Sequence, residues 1–407
     1  MLNKTIYKYE KLDFFLILFG FFLPIAALLK PRMLPIFLVV FTLILLARGF
    51  RKIKFYSPAI LYGIICCAFL AISSFWSQEP DITLLKSTKI LLISLCAYIL
   101  FRYSYSLNVQ NIKLLLLSAL SSAVLIASII IIDWLSNLSI SQYISVMQGS
   151  VVIVNVFKPG SVLIALILLL ASFYFYTNKS KAGYFLFLLS ALIMLHPSLM
   201  RTYFIAFACG VSIYALLRFD QKHLLKICVT ACLLFIISTP ITLSPDNLLY
   251  TGDLPKSLLH RLAIWNFAIE KIWENPLLGH GLASSTFIEG GKQLISIGSL
   301  PSSFSTHANW LALIKSGNAE LLPLHPHNIG IQAYLELGFI GAALICYLIW
   351  NAFRYSFAKN NDYLIIGLFT LIAMNQAGFS IWQSWWLSYQ ILILFGMHLI
   401  IRAKLEH

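Results

Sequence analysis

Residues 112–132 read IKLLLLSALSSAVLIASIIII, and beyond Lys113 the stretch holds nineteen residues without a charge. A helix needs about 20 mostly apolar residues to cross the hydrocarbon core of a bilayer, and this stretch fills that length. Outward from it, twelve apolar segments can be marked, at 13–29, 33–48, 58–75, 83–101, 112–132, 159–177, 182–196, 200–217, 224–240, 328–350, 362–379 and 383–401. Over the 407 residues, 60% are hydrophobic and 11% charged. A water-soluble domain carries roughly a quarter charged residues, so a soluble or disordered chain is excluded. A membrane β-barrel would alternate polarity over segments of about ten residues; these runs are longer and uniformly apolar. The composition therefore predicts an all-α integral membrane protein with about twelve transmembrane helices.

The net charge of +14 would point to nucleic acid in a soluble protein; here it is read as topology, and no nucleic-acid partner is expected. With a cytoplasmic N-terminus, the inner connections hold Lys4, Lys8, Lys11, Arg48, Arg51, Lys52, Lys54, Arg102, Lys113, Lys179, Lys181, Arg218, Lys222, Lys226, Arg354, Lys359, Arg402 and Lys404. The short outer loops keep little beyond Lys30 and Arg32. This asymmetry follows the positive-inside rule and leaves both termini in the cytoplasm. The chain divides into residues 1–240 with helices one to nine, a large outer loop at 241–327, and 328–407 with helices ten to twelve. Within the loop, Leu258, Leu262, Trp265, Ile269 and Trp273 recur at helical spacing among charges, which predicts an amphipathic helix lying at the membrane–water interface. The seven cysteines lie in or beside apolar runs, with neither disulfide nor metal-ligand spacing.

Several cations remain on the outer side: Lys86 and Lys89 near the start of helix four, Lys158 before helix six, Arg201 opening helix eight, and Arg261 on the loop helix. Each lysine could simply snorkel to lipid headgroups. Arg201 follows His196-Pro197 in a very short connection and has less freedom to do so. Together the cations suit an anionic ligand, and guanidinium groups match phosphate oxygens in bidentate fashion. His325-Pro326-His327-Asn328 stands just before helix ten, and Asn328, Gln332 and Glu336 then make a polar stripe at i, i+4, i+8. Gly338 and Gly341 follow at a spacing read as close helix packing. An interfacial histidine can be purely structural; at the head of a polar stripe, beside cations, it can also take a proton from a hydroxyl. Glu79-Pro80-Asp81 has a spacing able to hold a divalent metal, but acidic residues equally suit a helix start, and no metal or other cofactor is expected.

His327-Asn328, nine residues, then Gly338 and Gly341 resembles the signature of the O-antigen ligase family. Leu199-Met200-Arg201, the stretch HRLAIWNFAIEKIWENPLLGHGL at 260–282 and WSQEP at 76–80 resemble further features of that family. The resemblance implies a GT-C-like glycosyltransferase in the bacterial inner membrane with its active site in the periplasm. It implies a donor glycan on undecaprenyl pyrophosphate and a lipid A–core acceptor. His327 would be the general base, with Arg201 and Arg261 on the pyrophosphate. Lys86, Lys89, Lys158, His325, Asn328 and Gln332 would be substrate contacts, with no metal and inversion at the anomeric carbon. Trp265, Trp273 and Trp310 offer faces suited to sugar rings. Alternatives are an O-antigen polymerase or a protein O-glycosylating ligase using the same donor. A transporter of lipid-linked glycans would instead place ionisable groups near the bilayer midplane or in broken, repeated helices.

Overall fold

In the computed structural model, residues 2–47, 58–147, 158–193, 202–244, 254–302 and 307–405 are described. Among them the chain is all helical, apart from a single antiparallel bridge between Leu294 and Glu320. The helices are α1 (Leu2–Leu29), α2 (Leu34–Ala47), α3 (Pro58–Ile72), α4 (Pro80–Ser104), α5 (Val109–Leu135), α6 (Ser139–Met147), α7 (Lys158–Thr177), α8 (Ala182–Ile193), α9 (Thr202–Arg218), α10 (Lys222–Thr242), α11 (Lys256–Glu274), α12 (Ala308–Lys315), α13 (Ile329–Ala358), α14 (Asp362–Ala377) and α15 (Ser384–Leu405).

Within the described residues, each of the twelve apolar segments overlaps a helix. Six contain a stretch long and apolar enough to cross a membrane: Pro80–Ser104, Val109–Leu135, Gly160–Thr177, Lys222–Thr242, Ile329–Ala358 and Ser384–Ala403. The other six apolar helices run 10–17 residues, among them Phe14–Leu29, Ala182–Ile193 and Asp362–Ala377. This is a helical multi-pass membrane protein. Many large apolar side chains on these helices face outward, Leu91, Leu92 and Leu95 on α4 among them, as a lipid-facing surface requires.

The bundle core is built where α1 lies on α5, α7 on α8, α9 on α14 and α10 on α13. α6 was not anticipated. It is set by Asp133, whose buried carboxylate accepts the N–H groups of Ile140 and Ser141 at 2.8 and 2.9 Å and the Ser141 hydroxyl at 2.5 Å.

Two groups of connections separate to opposite ends. At one end Lys222 Nζ reaches Asn360 Oδ1 at 3.4 Å, tying the α9–α10 turn to the α13–α14 turn, and Arg402 donates to the Ser104 carbonyl between α4 and α5. At the other end the α3–α4 connection meets the 254–302 segment. Trp76 Nε1 donates to Leu278 O at 3.2 Å, and the Leu282 N–H to Ser73 Oγ at 3.1 Å.

Two expectations are corrected here. The apolar face of α11 is not left for a lipid surface: Leu259, Leu262, Ala263, Ile264, Phe267, Ala268, Ile269 and Ile272 are buried against α13, α12 and the rest of the long connection. The loop supplies enough apolar partners of its own, Ile288, Leu300, Trp310 and Leu322 among them, to cover the helix. Trp310 is accordingly 0% exposed and is a core residue, whereas Trp273 remains open to the outside.

The second correction concerns Gly338. It is a break in α13, with φ 63° and ψ −165°, rather than a seam for another helix. At this break Leu335 O accepts the His280 N–H at 2.9 Å, while the Phe339 and Ile340 N–H groups donate to Pro276 O and Leu277 O at 2.8 and 3.3 Å. A regular helix would have paired Phe339 N–H with Leu335 O. The segment 276–280 thus borrows hydrogen bonds that the break releases. A Cβ on Gly338 would stand 2.2 Å from the Leu277 carbonyl, so the close backbone approach requires glycine.

Candidate active site

The site grows from the start of α13. Asn328, in an extended conformation, caps the helix by accepting the Ile331 N–H at 3.0 Å. Just before it, His327 adopts φ 58°, an uncommon left-handed conformation for a side-chain-bearing residue. This turn brings the His327 ring to the α14–α15 connection, where Nδ1 lies 2.7 Å from the Gly378 carbonyl oxygen. A carbonyl can only accept, so the neutral ring carries its proton on Nδ1 and its lone pair on Nε2. That is the form able to take a proton from a hydroxyl.

His325 packs beside it, with ring centroids 4.1 Å apart. Burial, the neighbouring His327 and Arg261 together push its pKa down to about 3, although the Gly378 carbonyl favours the protonated ring. His325 is therefore neutral at physiological pH. Its buried Nε2 finds no hydrogen-bond partner among the described residues.

α11 holds this loop from the other side. Trp265 Nε1 donates to the Pro326 carbonyl at 2.8 Å, and Arg261 sits one turn earlier on the same helix. Burial pushes the Arg261 guanidinium down from its ordinary range, and among the described residues no carboxylate offsets it. A half-buried cation left in this state has its most favourable partner in an incoming anion.

Below the histidines the polar stripe is a closed network. Asn328 Nδ2 donates to Gln376 Oε1 at 2.9 Å. Gln332 Nε2 donates to Ser380 Oγ at 2.7 Å and to Glu336 Oε1 at 2.9 Å, while its Oε1 accepts the Ile381 N–H at 3.2 Å. Asn328 and Gln332 were expected among the substrate contacts; at 3% and 2% exposed, their amides are engaged by protein. They hold the frame on which His327 stands.

The remaining cations fall differently. Lys86 on α4 is half-buried and close enough to Glu336 for the two charges to act on each other. Lys89 is exposed one turn further on. Lys158 opens α7, but its side chain, like the whole of Arg201, lies outside the described residues. Glu79 and Asp81 stand exposed at the start of α4. Among the described residues no group of three histidine, cysteine or acidic side chains gathers as a metal site would require.

Sequence reasoning missed Gly378, Ser380 and Ser285. The first acts through its backbone carbonyl, which no residue type announces. Trp265 was noted only for its apolar body, and its N–H proved to be the contact to Pro326.

Comparison with known proteins fits this geometry. Residues 144–346 match the family model described as "O-Antigen ligase", a range that takes in Arg261, both histidines and α13 through Cys346. A protein of Rickettsia prowazekii named "Putative polysaccharide ligase" is 26% identical over 373 residues, covering 88% of this chain and 84% of that protein. Proteins of Rickettsia conorii and Rickettsia typhi bearing the same description are 31% and 30% identical over 252 and 246 residues. There the chain spans about half the relatives' length, 56% and 55%. Through residues 144–346, and with the His327-Asn328 and Gly338 signature at the head of α13, the chain belongs to the O-antigen ligase family.

Proposed function

We propose that the protein transfers a glycan from undecaprenyl pyrophosphate to the lipid A–core oligosaccharide at the periplasmic face of the bacterial inner membrane. The observation that carries this reading is His327, whose basic nitrogen is Nε2, in a loop bound by Trp265 of α11, one turn along from the half-buried Arg261, which no carboxylate offsets among the described residues.

In this mechanism His327 Nε2 removes the proton from an acceptor sugar hydroxyl. The hydroxyl oxygen attacks the anomeric carbon of the donor as the bond from that carbon to the pyrophosphate oxygen breaks. Arg261 and Arg201 hold the pyrophosphate and stabilise the charge that it takes up as it leaves, so no metal is required. A single displacement inverts the anomeric centre. Lys86, Lys89 and Lys158 supply further positive potential to the donor phosphates, and His325 acts as a neutral neighbour that shapes the His327 pocket.

The division of the connections between two ends supports the orientation. Arg218, Lys222, Lys359 and Arg402 belong to the end opposite the histidines, as expected if that end is cytoplasmic. Reporter fusions after residues 52, 180 and 222 should then report cytoplasm, and fusions near 250 and 300 periplasm.

The decisive test is expression in a Gram-negative strain lacking its own ligase, with lipopolysaccharide resolved on a gel. Restored attachment of long glycan to core is the expected result. In a strain lacking this protein itself, full-length glycan should accumulate on the polyprenyl carrier above bare cores. Cores carrying a single repeat unit would instead identify a polymerase. Transfer that stops in EDTA would return Glu79 and Asp81 to consideration as metal ligands.

A further inference from the structure

Glu336 takes no part in the proposed chemistry, yet it is fully buried and three donors converge on it. The Ala283 N–H meets Oε2 at 2.6 Å; the Ser285 hydroxyl and Gln332 Nε2 meet Oε1 at 2.6 and 2.9 Å. A buried carboxylate is costly unless its oxygens are satisfied in this way. The bonds also join three parts of the chain: 283–285, the first two turns of α13, and the α14–α15 connection. The last is reached through Gln332, which donates to Ser380 Oγ and accepts from the Ile381 N–H. Two residues before Ser380 lies Gly378, whose carbonyl holds His327 Nδ1.

The polarity of this chain of bonds is set at one place. Glu336 Oε1 accepts from Gln332 Nε2, so Gln332 turns its NH2 group toward Glu336 and its carbonyl toward Ile381. An amide or an apolar group at position 336 removes that instruction, and Gln332 could then rotate and lose Ile381. The backbone that presents Gly378 O would lose the support on its far side.

We propose that Glu336 is a positioning residue for the transfer reaction: through Gln332 it fixes the 378–381 backbone, and so holds His327 in the orientation and tautomer that keep Nε2 basic. This rests on the ligase reading of His327. A general base must be held to within fractions of an ångström of its productive geometry, which gives the long path from Glu336 its consequence.

The test uses the full-length protein in lipid nanodiscs with undecaprenyl-pyrophosphate-linked glycan as donor and lipid A–core as acceptor. Three variants are compared: Glu336→Gln, Ser380→Ala and, as a control, Tyr334→Phe. The last removes a hydrogen bond of the same helix, from Tyr334 to the Ile237 carbonyl at 2.7 Å, away from the path. Glu336→Gln and Ser380→Ala should each lower kcat by about ten-fold, roughly the effect of one misplaced hydrogen bond, with the donor KM unchanged. Tyr334→Phe should leave kcat as it is. If Glu336→Gln does not fold, Ser380→Ala carries the test alone, because it removes the side-chain link from Gln332 to Ser380 and leaves Glu336 in place. An unchanged kcat in Ser380→Ala, or an equal loss in Tyr334→Phe, overturns the proposal and leaves Glu336 as a purely structural anchor. Wild-type protein that transfers nothing overturns the ligase reading instead, a result distinct from either.

Discussion

His327 and Gly378 stand 51 residues apart in the chain, yet Nδ1 of one lies 2.7 Å from the carbonyl oxygen of the other. A backbone carbonyl cannot ionise and cannot donate, so it imposes one tautomer on the imidazole. The same bond ties the loop that Trp265 of α11 holds at Pro326 to the α14–α15 connection.

His327→Ala should therefore reduce transfer by roughly 10²–10⁴-fold, the usual cost of losing a general base, while the amount of protein in the membrane stays unchanged. Transfer of radiolabelled glycan in isolated membranes measures it. Near-normal rates would remove His327 from the mechanism.

Arg261→Ala should weaken transfer by about 10–100-fold, the loss expected for charge-assisted hydrogen bonds to a phosphate. Lysine at this position should restore little, because an ammonium cannot reproduce a planar two-point contact. The same pair of substitutions at Arg201 should behave alike if both arginines grip the pyrophosphate. Full recovery with lysine at both positions would mean that only a diffuse positive field is needed.

His325 gives a prediction in pH. Its pKa falls from an ordinary 6.5 to about 3 on folding, so between these values the unfolded chain binds the additional proton. Stability from the neutral ring is fully present above pH 6.5 and declines as the pH drops toward 3. The melting temperature of detergent-solubilised protein should fall between pH 7 and pH 4, and His325→Asn should flatten that slope. The charged or titratable groups acting on His325 are His327 in its own loop and Arg261 on α11; a slope unaffected by His325→Asn would assign the effect to other groups.

Gly338→Ala should destabilise the protein by more than the roughly 1–3 kcal/mol of a strained backbone conformation, because the new Cβ would also collide with the Leu277 carbonyl. Gly298→Ala provides the comparison, since a Cβ there meets nothing within 4 Å. Thermal unfolding of the two variants should separate them clearly; equal melting temperatures would mean that the break in α13 can close.

The apolar helices were legible because hydrophobicity sustained over a helical length has few other outcomes. The polar stripe was legible because Asn328, Gln332 and Glu336 repeat every four residues. What escaped was contact at long range. Nothing in the sequence at 378–381 links it to residue 327, and the Gly378 contribution is a carbonyl that every residue type possesses. Gly338 was misread because a glycine beside an apolar run fits helix packing and backbone breakage equally well. The face of α11 was misassigned for a similar reason: periodicity reveals that a face is apolar, but not whether lipid or protein covers it.

The long reach from His327 to Gly378 also has a consequence in time. Ribosomes add about 5–20 residues per second, so the acceptor for the His327 ring is synthesised roughly 3–10 s after the histidine itself. Until the segment after α14 has been threaded into place, the imidazole has no carbonyl to orient it. A nascent chain that has already delivered Arg261 and both histidines would thus remain catalytically silent, and competence would come only once the 378–381 stretch is made.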